Sequence, residues 1–141
     1  MGLFDIFDIS GSAMSAQSVR LNTTASNIAN ADSVASSEGE TYKARHPVFQ
    51  TVLNGIGVNG QSSPAKAGVS VAGIVESQAE PIARYQPQNP LADEQGFVYT
   101  PNISVVEEMA NMISASRSYQ TNVQIASTAK QLLTKTLSLG Q

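Results

Sequence analysis

The sequence holds no cysteine and a single histidine among its 141 residues. The first absence excludes disulfides, thiolate catalysis and cysteine metal sites. The second leaves His46, beside Pro47, without the partners that a zinc site of ordinary type requires, and makes a polar surface role the simpler reading. Charge is also scarce. Only 13% of the residues are Asp, Glu, Lys or Arg, about half the roughly 25% usual in soluble domains, and Ser, Thr, Asn and Gln fill the difference. Such a surface loses less on desolvation when neighbours cover it, although it also fits a merely neutral exterior. The net charge is −3, with Lys and Arg scattered, so there is no electrostatic footprint for nucleic acid or for an anionic membrane.

Basic residues are missing from the start of the chain. Asp5 and Asp8 precede the first of them, Arg20, so the positive n-region of a cleaved secretory signal is lacking. Ile6 breaks the myristoylation pattern that Gly2 would begin, and no apolar run approaches the ~20 residues of a membrane span. Catalytic motifs are equally thin. No Gly-x-Ser-x-Gly elbow occurs, and Gly55, Gly57 and Gly60 lack the Gly-Lys-Ser/Thr ending of a phosphate loop. Asp32, Glu38 and Glu40 do not have the spacing of an EF-hand and read as a solvated loop. No enzyme activity, metal or cofactor is expected.

Two long apolar-striped segments at the ends of the chain bracket an irregular middle. In the first, from about Leu3 to Ala31, Phe7, Met14, Leu21 and Ile28 recur every seven residues, with Gly11, Ser18 and Ala25 between them. Large residues alternating with small ones suit close approach by a partner helix. The second segment has sharp boundaries. Pro101 blocks helix before it, Ser104 and Glu107 form a Ser-x-x-Glu capping box, Glu107 and Glu108 suit the helix dipole, and Gly140 offers a C-terminal cap. Val105, Met109, Met112, Ser116, Tyr119, Val123, Ala126, Lys130, Leu133 and Leu137 are spaced alternately four and three, which predicts a coiled-coil-like contact. Ile125, Leu132 and Leu139 form another stripe on a neighbouring face. It belongs either to a helix from a second subunit or to a wider face of one internal core. Arg117, off the seam, either pairs across subunits or stays solvated.

The expected fold is therefore mainly α with a small β-rich insert. One discontinuous helical core is formed by 1–33 and 101–141, and 34–100 form a small region of strands and loops. The helices pair as a rod, antiparallel if the insert merely turns the chain back. In the middle, Thr41–Arg45, Val48–Leu53 (both near Pro47), Gly68–Val75, Ile82–Gln86 and Phe97–Thr100 read as short strands, and Asn54–Gly68 as a mobile loop.

The run SAQSVRLNTTASNIANADS (15–33) resembles the N-terminal signature of the flagellar rod and hook family of axial proteins. Its Ala-x-Asn-Ile-Ala-Asn ending falls on Ala25, Asn27, Ile28, Ala29 and Asn30, followed by Tyr42 and Lys43. PNISVVEEMANMISASRSYQTN (101–122), the ending KTLSLGQ (135–141) and ESQAEP…NPLADEQGFV look like the proximal-rod members in particular. The sequence departs at Asp32-Ser33-Val34, where many axial proteins carry Thr followed closely by Gly. The resemblance implies a structural subunit of the bacterial flagellar basal body, exported by the flagellar type III apparatus without a cleaved signal. It implies helical assembly into a drive shaft within the periplasm, the terminal helices forming the tube. Implied partners are copies of itself, other proximal rod proteins, the rod-base adaptor and the distal rod proteins. Candidate packing or assembly residues are Phe7, Met14, Leu21, Ala25, Asn27, Ile28, Asn30, Val105, Met109, Met112, Arg117, Tyr119, Val123, Ile125, Ala126, Leu132, Leu133 and Leu137. A soluble coiled-coil adaptor or export chaperone is the competing reading.

Overall fold

A computed structural model describes residues 3–54 and 66–139, with side chains for 5–52 and 67–139. Most of the expected loop from Asn54 to Gly68, and the Gly140 cap, lie outside the described residues. Helix α1 runs Leu3–Asn30 and helix α2 Val105–Leu139. Between them come β1 (Arg45–Asn54), β2 (Lys66–Glu76), β3 (Ile82–Tyr85) and β4 (Phe97–Thr100), each pair forming its own two-stranded antiparallel sheet. The main-α class with a small β-rich insert is thus the observed one.

The helix boundaries follow from local chemistry. Pro101 is buried just before α2, and the Ser104 Oγ accepts the Glu107 N–H at 3.4 Å while its carbonyl accepts the Glu108 N–H at 3.0 Å. The first turn is thereby capped. At the end of α1, the Asn30 carbonyl accepts both the N–H and the hydroxyl of Ser33, at 3.1 and 2.8 Å. The two helices are antiparallel. Asn27 near the end of α1 meets Glu108 in the first turn of α2, and Arg20 donates to Asn111 Oδ1 at 2.9 Å. Since α1 has 28 residues and α2 has 35, the excess of α2 falls at its C-terminal end, where Leu137 and Leu139 are exposed.

Strand β1 runs straight through Pro47, where two separate short strands were expected. A two-stranded ladder leaves each strand one unpaired edge, so the missing proline N–H is tolerated there. Register runs from Arg45↔Glu76 to Asn54↔Lys66, with a shift between Val48 and Phe49 that leaves Ala72 as an extra residue on β2. This hairpin lies along α1. Ser12 Oγ accepts the Val69 N–H at 3.2 Å and donates to the Ile9 carbonyl at 2.9 Å. A Cβ at Gly68 would come within 3.3 Å of Ser12 Oγ, so glycine permits this approach.

The second hairpin is shorter, with β3 exposed throughout and the burial carried by β4. Val98 and Thr100 of β4 face inward, alternating with half-buried Phe97 and Tyr99. Its turn is organised by Asp93, whose Oδ1 accepts the N–H groups of Gln95 and Phe97 at 2.9 and 2.8 Å. Gly96 has φ +84°, and a Cβ there would stand 2.9 Å from Tyr85 Cε2. Both facts select glycine. The Tyr99 hydroxyl donates to Asp93 Oδ2 at 3.4 Å. Burial, then the charges of Asp93 and Glu38, raise the Tyr99 pKa above its usual value.

Candidate assembly interface

The most deeply buried residues along α1 and α2 are small or polar. On α1 the buried positions are Ser10, Ala16, Thr23, Thr24 and Asn27; on α2 they are Glu108, Ala115 and Ala129. Val105, Met112, Ala126 and Leu133 are half-buried beside them. These α2 residues fall at three- and four-residue steps in two runs, 105–115 and 126–133, separated by a break at which the expected seam residue Tyr119 is exposed. The second set of this seam is Glu108, Ala115 and Ala129, whereas the four-and-three spacing pointed to Met109, Ser116, Val123, Lys130 and Leu137, of which only Ser116 is half-buried. Small side chains let the helix axes approach, and that approach displaces the bulky residues outward.

Asn27 ties the whole junction together. It is fully buried, and its Nδ2 donates to the Arg45 carbonyl at 2.9 Å and to Glu108 Oε2 at 3.2 Å. Its Oδ1 accepts the Arg45 N–H at 2.9 Å and the Tyr42 hydroxyl at 3.0 Å. All four hydrogen-bonding positions of the amide are used. One side chain thus joins the end of α1, the entry to β1 and the first turn of α2. Tyr42 is held further by Ser26 Oγ at 3.1 Å and carries the Arg45 guanidinium 5.7 Å from its ring centroid. Arg45 also reaches Glu76 at 3.4 Å. Asn30, by contrast, serves its own helix, donating to the Ser26 carbonyl at 2.8 Å.

The other candidate residues divide by face. Phe7, Met14, Leu21 and Ile28 are half-buried, while Ala25 and its seven-spaced neighbours Gly11 and Ser18 are exposed on the outer side of α1. On α2, Met109, Arg117, Tyr119, Val123, Ile125, Leu132 and Leu137 are all exposed. Val106 and Ile113 join them, although the spacing argument had passed them over. Val106 is 77% exposed, Leu137 72% and Leu139 87%. Ile125 and Leu132 border a groove of about 300 Å³ shared with Ile6 of α1. Exposed apolar side chains in this number on one helix are candidates for contact with another chain. His46 is exposed beside a separate polar hollow lined by Arg20, Thr24, Phe49 and Asn111. Among the described residues no helix is long and apolar enough to cross a membrane.

Comparison with known proteins agrees with this geometry. Residues 7–35, which cover most of α1 and its exit, match the family model for the flagella basal body rod protein, and 94–139, which contain β4 and α2, match the C-terminal model of the flagellar basal body rod FlgEFG proteins. The chain is 52% identical to the flagellar basal-body rod protein FlgC of Escherichia coli O6:H1, and 51% identical to that of Salmonella typhimurium, over the full length of both chains. The FlgC of Aquifex aeolicus is 40% identical over 96% of each chain. The elements that these models match are the two helices joined through Asn27 and Glu108, and the chain belongs to the family of the flagellar basal-body rod protein FlgC, a structural component of the rod.

Proposed function

We propose that this chain assembles helically, together with other rod components, into the proximal part of the flagellar drive shaft. One observation supports this reading above the others. The most deeply buried positions of its two helices are small or polar, whereas most bulky apolar residues of α2, Val106, Met109, Ile113, Val123, Ile125 and Leu132 among them, are exposed. A stable discrete adaptor would be expected to bury them. Burial of a Val, Leu, Ile or Met side chain is worth about 1.5–3 kcal/mol, so these residues favour contact with neighbours strongly. The helical pair 1–33 with 101–141 supplies the tube in this reading, and the β-rich region 34–100 lies toward its outside. The rod-base adaptor and distal rod proteins are the proposed end neighbours. Passage to the periplasm runs through the type III export apparatus, without a cleaved signal.

The test is fractionation of cells carrying a tagged chain in place of the natural copy. The expected result is a chain of uncleaved mass that copurifies with isolated basal bodies, and loss of swimming when the gene is deleted. A tagged chain confined to the cytoplasm of cells that swim normally would instead fit the adaptor or chaperone reading.

A further inference from the structure

Two exposed stretches of α2 have the same spacing. Val106, Met109 and Ile113 stand at i, i+3 and i+7 near its start, and Ile125, Thr128 and Leu132 stand at the same steps near its end, bordering the groove shared with Ile6. Anchors at i, i+3 and i+7 are those by which a helix enters a groove between two others. Neither stretch is fully covered within the subunit. Their charges are complementary. Glu107 is exposed within the first stretch, whereas exposed Lys130 lies within the second and no Asp or Glu occurs in 109–141.

We infer that the groove beside Ile125 and Leu132 of one copy receives the Val106–Met109–Ile113 ridge of a second copy. This inference rests on the rod reading and names the partner of that surface. The two α2 helices lie parallel with an offset of about nineteen residues, roughly 29 Å of helix. Val106 then lies level with Ile125, Met109 with Thr128 and Ile113 with Leu132, and Glu107 falls about one turn, roughly 6 Å, from Lys130 along the axis. Parallel packing at three- and four-residue spacing interlocks side chains as in a coiled coil. The two surfaces are different, so the contact is heterologous. Repetition of such a contact gives an open helical array in place of a closed dimer.

The absence of cysteine makes the test direct. Val106→Cys and Ile125→Cys chains are purified separately, mixed and mildly oxidised, with Met109→Cys and Thr128→Cys as a second pair. Circular dichroism of each variant confirms that these exposed positions tolerate the change. The expected product is the mixed disulfide dimer, favoured over either homodimer and declining as salt rises. Glu107→Lys in the first chain should remove it, and Lys130→Glu in the second should restore it. Homodimers formed as readily as the mixed dimer, or no mixed dimer from either pair, would overturn the inference. So would a cross-link from position 125 to a different protein in basal bodies. None of those results touches the rod reading, which stands or falls on whether the chain copurifies with basal bodies.

Discussion

Asn27→Ala is expected to lower the stability of the subunit by about 3 kcal/mol, with a melting midpoint roughly 10 °C lower in thermal denaturation. The substitution strips hydrogen bonds from the Arg45 backbone, the Tyr42 hydroxyl and the buried Glu108 carboxylate at once. A buried group left without its partner costs about 1–3 kcal/mol, more when it is charged. Some of that is recovered by water entry or by shifts of the hairpin. Asn27→Asp keeps the shape and should do no better, because an oxygen would then face both the Arg45 carbonyl and the Glu108 carboxylate. Asn30→Ala removes only a bond within the last turn of α1 and should cost about 1 kcal/mol. Equal losses at positions 27 and 30 would show that the junction is not held through Asn27.

The second large effect separates folding from assembly. Ile113→Asp and Leu132→Asp should lower the stability of the free subunit by no more than about 1 kcal/mol, since Ile113 is 56% and Leu132 51% exposed. Each should nevertheless abolish motility, because a carboxylate placed in an apolar contact must be desolvated without a partner. Ala115→Leu should behave in the opposite way. Ala115 is fully buried between the helices, and overpacking it costs about 1–3 kcal/mol in the subunit itself. Swimming assays and denaturant melts on the three variants check the contrast. Normal swimming with both aspartates would remove the outer face of α2 from the account.

Much of the architecture was legible because local chemistry announced it. Pro101 and the Ser104 cap set the start of α2, and the seven-residue recurrence of Val105, Met112, Ala126 and Leu133 located half of its inner seam. The other half was hidden. Glu108, Ala115 and Ala129 do not look like a core, and the four-and-three spacing selected their neighbours, most of which the close approach of α1 pushes outward. Asn27 was legible only as part of a familiar signature. Its role comes from Tyr42, Arg45 and Glu108, and the last of these is far away in the chain, so no local pattern encodes the junction. Strand β1 was misjudged at Pro47 for a related reason: whether proline is tolerated depends on the number of strands beside it, which is a tertiary fact.

The central claim is that the apolar residues on the outer face of α2 are covered by neighbouring subunits and not by this chain. Thiol labelling tests it most directly. An Ile113→Cys chain is labelled with a maleimide as the purified subunit and again within intact isolated basal bodies. The account predicts rapid labelling of the free subunit and strong protection in the basal body. Equally rapid labelling in both states would contradict it.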